Sequence, residues 1–342
     1  MVHVAIVGGS GFVGGELSRL LLAHPEVTKL QVTSESRAGK PLGTVHPNLR
    51  HHTDQAFIRK EDLNPCDVIF LAMPHGAAAS EVSIWQNKAT VVIDLSSDFR
   101  LNDMALYERY YGGLHTATHL CSQFTPGIPE FYRNELRSAD RIAGPGCTAI
   151  AGILALRPLR ASGVIEPRVY VDSKVGSSGS GARVGLGTHH PLRSGVTRVF
   201  KPTGHRHEAE IVTQCDVIPH VTVNSVDMVR GILLTAFCTL SHPVSDRDIR
   251  KIFREAYADE PFTRLVKRQG QAGYTLPEPK ILTGTNYCDI GYALTDDGSG
   301  LIAISALDNL MKGAVGNAIH CMNIRMQFPE TAGLTSISLH PV

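Results

Sequence analysis

The sequence predicts an α/β protein of two domains: a parallel sheet wound with helices, then an α+β domain on a mixed sheet. Three observations lead there. Over the first ~100 residues short apolar runs alternate with helix-patterned stretches, the mark of βαβ winding. Past residue 147 the strand-like runs lengthen and only one clear helix interrupts them. The chain has 342 residues, more than one small core fills. The expected division is 1–146, completed by a C-terminal segment 309–342, and 147–308.

The elements follow in order. Residues 2–7 form a first apolar strand. Residues 12–23 form a helix, with Val13, Leu17, Leu20 and Leu21 at helical spacing. Residues 29–34, 67–73 and 90–95 are further strands of the near-continuous apolar kind that a buried parallel sheet needs. Residues 141–147 read as a strand ending in a Gly144-Pro145-Gly146 turn, with an Ala/Ile/Leu-rich helix over 148–156. In the second half, strands are expected over 168–175, 228–240 and 301–307. A helix begins at Ser245, whose partner three residues on is Asp248, and buries Ile249, Ile252, Phe253 and Ala256. A last helix over 309–326 places Met311, Val315, Ala318, Ile319, Met322 and Met326 on one face, which must pack on something; the first sheet is the candidate.

Composition excludes several classes. Hydrophobic residues are 43% and charged residues 19%, ordinary for a soluble enzyme. A net charge of +1 argues against nucleic-acid or membrane-surface binding, which calls for a large basic excess. No run approaches the ~18 apolar residues of a membrane span, and no secretion signal is read at the N-terminus. The seven cysteines are odd in number, scattered and without a Cys-x-x-Cys pair, so neither a zinc ribbon nor a disulfide framework is expected. A reducing cytoplasm is the expected location. His51, His52, His115 and His119 lie in polar, loop-like sequence and are read as solvated; no metal is expected.

The chemistry starts at Gly8-Gly9-Ser10-Gly11-Phe12-Val13-Gly14, between the first strand and the first helix. In that setting Gly9, Gly11 and Gly14 suit a tight turn, a pyrophosphate approach and helix–sheet packing, the fingerprint of a Rossmann-like dinucleotide domain. The helix N-terminus attracts phosphate. A glycine-rich turn without ligand is the bland alternative. The second strand ends at Ser34-Glu35-Ser36-Arg37. Glu35 could hold ribose hydroxyls as in NAD enzymes, but Ser34, Ser36 and Arg37 suit a 2′-phosphate, so NADP is favoured.

Cys147 lies between the Gly-Pro-Gly turn and a helix N-terminus, where a thiolate is stabilised; a lowered pKa and a nucleophilic role are expected. The other cysteines sit mostly in apolar runs, as Cys238 does, and read as core. Between Ser173 and His207 no Asp or Glu occurs, while Lys174, Arg183, Arg193, Arg198, Lys201 and Arg206 accompany Gly176–Gly181. Such a block suits an anionic substrate or an acidic partner protein, and Ser177, Lys201 and Arg206 are its candidate contacts. His205 and His207 supply imidazoles for proton transfer. These parts suggest that Cys147 attacks an acyl phosphate, expels phosphate, and yields an aldehyde after hydride transfer.

Five segments carry a resemblance: Gly8 to Glu16, Asp94-Leu95-Ser96-Ser97-Asp98-Phe99-Arg100, Pro145-Gly146-Cys147, Gly204 to Ile211, and Asp308-Asn309-Leu310-Met311-Lys312-Gly313. Together they resemble, over essentially the whole chain, the N-acetyl-glutamyl-phosphate reductases and their lysine-pathway relatives. The resemblance implies an NADP domain completed by the C-terminal helix, Cys147 as nucleophile, and His207, with His205 as substitute, as acid/base. It also implies Asn309 at the nicotinamide end and Arg100 near the substrate; the bland reading of Asn309 is a helix cap. Arginine-pathway members usually follow the cysteine with Tyr-Pro-Thr, whereas Thr148-Ala149-Ile150 stands here. Thr188-His189-His190-Pro191 and the stretch from Arg198 to His205 are more similar to the lysine branch. Members of that branch reduce 2-aminoadipate 6-phosphate on a small acidic amino-group carrier protein, some also the glutamate analogue. Such a partner and a homo-oligomer are expected; the arginine-pathway reductase, an aspartate-semialdehyde dehydrogenase and a non-catalytic NADP sensor are the alternatives.

Overall fold

The computed structural model describes residues 1–266 and 275–340. The apolar run β1 (Val2–Val7), buried but for His3, lies inside the first sheet, next to its edge strand. It pairs in parallel with β2 (Val27–Val32) on one side and β3 (Cys66–Leu71) on the other. With β4 (Ala89–Asp94), β5 (Thr125–Pro126) and β6 (Arg141–Ala143) the order is β2-β1-β3-β4-β6-β5, parallel throughout. The chain leaves β1 toward one edge and β3 toward the other, and a cleft opens where their C-terminal loops part, at the topological switch point.

The second sheet comprises β7 (Ile165–Val175), β8 (Arg198–Lys201), β9 (Ile218–Ser225), β10 (Ile232–Leu240), β11 (Thr263–Leu265), β12 (Cys288–Leu294) and β13 (Gly300–Leu307). Its order, β11-β12-β13-β10-β7-β9-β8, mixes parallel pairs (β11/β12, β7/β9) with antiparallel ones. The helix Cys147–Ala161 lies on one face, buried nearly all round because the helices His207–Cys215 and Asp246–Tyr257 close over it. Two polar bonds fix its seat: Ser305 Oγ donates to the Ala151 carbonyl (2.8 Å) and Tyr257 OH to that of Leu154 (2.6 Å). The other face carries the exposed Tyr170, Ile218 and Phe237. The architecture is thus a Rossmann-like parallel-sheet domain and a mixed-sheet domain.

Three expected segments change their bounds or form, and the helix His207–Cys215 with strands β8, β9, β11 and β12 was not expected at all. The strand expected over 228–240 starts at Ile232, because the Met228 and Val229 carbonyls accept from the Ser177 and Ser178 N–H groups. Nor is the final helix regular from 309. It opens with a π-turn, Met311–Val315, before the α-helix Gly316–Arg325. Thirdly, the helix expected over 148–156 takes in Cys147 at its start and runs to Ala161. Met311, Val315, Ala318, Ile319 and Met322 pack in one cluster with Leu17 and Leu21 of the helix Phe12–Leu22 and Val32 of the first sheet.

Charged pairs hold the two halves and the last segment together. Arg230, just before β10, reaches Glu16 (2.8 Å) and Asp308 (2.9 Å). Lys312 in the π-turn meets Glu130 at 2.6 Å, both side chains fully buried. Among the described residues no helix is long and apolar enough to cross a membrane.

Candidate active site

The glycine loop leaves β1 beneath β2, anchored by Gly9 N–H donating to the Thr33 carbonyl (2.8 Å) and by His46 Nε2 on the Gly9 carbonyl (2.8 Å). Gly14 packs on the Gly9 backbone so closely that a Cβ would lie 2.4 Å from its Cα. At Gly11 a Cβ would meet nothing within 4 Å, and Gly11 opens the helix Phe12–Leu22 with no side-chain cap. Bare backbone therefore faces an open cleft at a helix N-terminus, which fits a pyrophosphate. Gly8, Ser10, Gly11, Phe12, Val13 and Gly14 line this cleft, about 430 Å³, with Ala72, Met73 and Pro74 after β3.

Ser34 is buried at the end of β2 and donates to Ser10 Oγ (3.1 Å). Glu35, Ser36 and Arg37 are exposed just beyond. Glu35 is engaged elsewhere, accepting from the Lys60 N–H (3.1 Å), and Arg37 makes no ion pair among the described residues.

Cys147 is the first residue of its helix, with Gly146 as N-cap, and it lines both the nucleotide cleft and a second cavity of about 640 Å³. The Gly-Pro-Gly turn is what proximity requires. A Cβ on Gly146 would lie 2.5 Å from His207 Nε2, so the imidazole lies directly against the backbone beside Cys147. Gly313 of the π-turn approaches from the other side; a Cβ there would be 2.8 Å from that of Cys147.

The lowered thiol pKa expected from the helix terminus is not what the structure gives. Burial pushes Cys147 above its ordinary value, against the opposing pull of Arg100, Thr148 and Arg206. The same cause takes Cys66, Cys215 and Cys238 up to about 12, with little or nothing cationic beside them. His207 is fully embedded and is held well below its usual range by burial and by His205, Arg100 and Arg206. It is therefore a neutral imidazole at neutral pH, and its Nδ1 has no hydrogen-bond partner among the described residues. Burial takes His205 down to about 4; its ring stands edge-on to that of His207 at 4.7 Å.

Of the other expected residues, Lys201 and Arg206 line the 640 Å³ cavity with His205 and His207, and Arg206 also reaches the nucleotide cleft. Arg100 lies behind the cysteine turn, donating to the Gly144 carbonyl (2.9 Å) and pairing with Glu210 (3.3 Å). Ser177 is not brought to Cys147. It lines a third cavity of about 670 Å³, while Ser178, Gly179 and Ser180 take the places nearer the cysteine. Asn309 lines the nucleotide cleft, but it is no helix cap: its Oδ1 accepts from Gly231 N–H (2.7 Å), and Asp308 caps the π-turn through Leu310 and Met311 N–H.

Sequence reading missed Glu210, whose carboxylate accepts from the Gly146 N–H (2.9 Å) and so ties the cysteine turn to the histidine helix. Its place one turn after His207 was the available signal. Among the described residues no cluster of three His, Cys, Asp or Glu is placed to hold a metal.

Two family models cover the chain: residues 3–139 match the semialdehyde dehydrogenase NAD binding domain and 147–309 the semialdehyde dehydrogenase dimerisation domain. The chain belongs to the semialdehyde dehydrogenase family. It is an oxidoreductase. A [LysW]-L-2-aminoadipate 6-phosphate reductase of Deinococcus radiodurans is 44% identical over 99% of this chain and 98% of its own. A Thermomicrobium roseum protein named for the same activity is 51% identical, with both chains fully covered. A Pyrococcus horikoshii relative, 45% identical over both full chains, is named for both the [LysW]-L-2-aminoadipate and the [LysW]-L-glutamate phosphate. Among solved structures, aspartate semialdehyde dehydrogenase II of Vibrio cholerae superposes with a TM-score of 0.70 at 17% identity, covering 96% of this chain and 98% of that one. The Candida albicans aspartate semialdehyde dehydrogenase with NADP gives 0.69 at 15%, covering 95% and 98%. At such identities these two speak for the shared fold alone.

Proposed function

We propose that this family member is an NADPH-dependent reductase that converts L-2-aminoadipate 6-phosphate, held on an acidic amino-group carrier protein, to its semialdehyde through a thioester on Cys147. The observation that carries the reading is the position of Cys147: one side faces a nucleotide cleft and the other a cavity with His205, His207, Lys201, Arg206 and no acidic residue. The names of the relatives supply the substrate.

Gly8 to Gly14 would hold the pyrophosphate, and Ser34, Ser36 and the unpaired Arg37 a 2′-phosphate, with Glu35 occupied by Lys60. Asn309 would sit toward the nicotinamide, its amide fixed by Gly231 and Ser178. When bound, the reduced dinucleotide supplies the hydride that takes the acyl carbon to the aldehyde level. The protein's own groups do the rest. Neutral His207 takes the thiol proton as the S–C bond forms and the C–O bond to phosphate breaks. Arg206 and Lys201 receive the departing phosphate. Collapse of the hemithioacetal breaks the C–S bond, and His207 returns its proton to sulfur. Arg100 and Glu210 hold the turn that carries Cys147. The exposed face of the second sheet is the natural seat of a homodimer, and the free thiols suit a reducing cytoplasm.

The test is the reverse reaction, phosphate-dependent NADP⁺ reduction, run on carrier-linked aminoadipate semialdehyde, the carrier-linked glutamate analogue and N-acetylglutamate semialdehyde. Turnover of the carrier-linked six-carbon substrate is expected. Turnover of the acetylated substrate alone would transfer the chain to the arginine-type reaction, and NAD⁺ preferred over NADP⁺ would overturn the cofactor assignment.

A further inference from the structure

One cation in the acid-free block behaves unlike its neighbours. Of the five Arg and Lys between residues 183 and 206, Arg183, Arg198, Lys201 and Arg206 are exposed, whereas Arg193 is buried at 9% exposure. Solvated cations need no partner. A buried one does, because leaving water without a compensating anion is costly. Yet Arg193 Nη1 is sealed from solvent with no acceptor among the described residues. Asp227 attracts it from a distance but forms no ion pair with it, and Arg198 repels it. Burial accordingly pulls the guanidinium below its ordinary value. A buried polar group left unsatisfied in the free protein is a mark of a ligand that completes it.

Its place says which part of the ligand. The 640 Å³ cavity has Cys147 where it meets the nucleotide cleft and Arg193 where it meets the 670 Å³ cavity. The nucleophile of the proposed reaction and the orphan cation thus line one chamber. A substrate whose acyl carbon is on the sulfur would send its other terminus toward Arg193. Arg206 lines both the chamber and the nucleotide cleft, as Cys147 does, and takes the leaving phosphate, so the anion for Arg193 is a second one on the same molecule.

We propose that Arg193 is the receptor for the free α-carboxylate of the substrate and that its separation from Cys147 measures the carbon chain between acyl group and carboxylate. This rests on the reductase reading above, and it adds a specificity residue to it. A planar fork matched to a carboxylate is the geometry in which a one-carbon change in length costs a bidentate contact.

The test compares wild type and Arg193→Gln in phosphate-dependent NADP⁺ reduction, using carrier-linked aminoadipate semialdehyde, its five-carbon glutamate analogue, and a carrier-linked six-carbon-type aldehyde lacking the carboxylate. For the natural aldehyde, KM is expected to rise on the order of 10- to 100-fold in the variant. The variant should also lose most of its preference between the two chain lengths. On the carboxylate-free aldehyde the variant's penalty should shrink to within about threefold. NADP⁺ affinity, read by fluorescence quenching, checks that the nucleotide cleft is intact. Wild type alone gives a second readout that needs no variant: removing the carboxylate must raise KM by a similar factor. Equal KM for wild type with and without the carboxylate would overturn the proposal, as would a variant penalty of the same size on both aldehydes. Wild type inactive on every aldehyde would instead overturn the reductase reading itself.

Discussion

At the scale of a residue, burial sets the protonation of both Cys147 and His207. Burial disfavours the thiolate and also the imidazolium, so the neutral pair is the resting state and the proton moves only when substrate offers an acceptor carbon. The sign is testable. A thiol raised above its ordinary 9.0 reacts with iodoacetamide at a rate that keeps climbing beyond pH 9, whereas the helix-terminus effect alone would make it level off well below. Cys147→Ser should remove turnover, a loss of at least ~1000-fold, with NADP⁺ binding unchanged in fluorescence titration. Turnover surviving in that variant would exclude the thioester. The sequence showed the cysteine, its helix and the histidine pair, since turn glycines and a helix start are local signals. It did not show the reversed thiol shift, because desolvation comes from Gly313 and the histidine helix, which lie far along the chain.

At the scale of an element, local chemistry explains why some segments were legible. Ser245 and Asp248 form the capping box their spacing predicts: Ser245 Oγ accepts from Asp248 N–H (3.3 Å) and Asp248 Oδ2 from Ser245 N–H (2.9 Å). Ser245→Ala should cost about 1 kcal/mol of unfolding free energy, seen as a lower denaturant midpoint with an unchanged slope. The helix His207–Cys215 was not legible, although it carries the proposed acid/base. Its buried Glu208 and Glu210 break the apolar stripe that periodicity looks for, because they are partnered by Tyr110 and Arg100. The π-turn was equally hidden. One residue per turn is added where Lys312 reaches Glu130 and Gly313 reaches Cys147, a long-range demand that helical spacing does not encode.

At the scale of the molecule, the second sheet presents Tyr170, Ile218 and Phe237 outward from β7, β9 and β10. Apolar side chains on one flat face call for cover. Sedimentation should give about twice the 37.0 kDa chain mass, and a Tyr170→Glu/Phe237→Glu double variant should run as a monomer. A wild type that sediments as a monomer would leave that face without the partner proposed for it. The packing of the last helix has a different consequence, for the order of synthesis. Met311 to Met322 complete the core of the first sheet, so a ribosome must translate the whole second sheet before the first can close. A nascent chain halted before residue 309 carries Leu17, Leu21 and Val32 without their cover and Cys147 without Gly313. The surroundings of Cys147 are thus completed last, and a chain stopped short of the final helix lacks them.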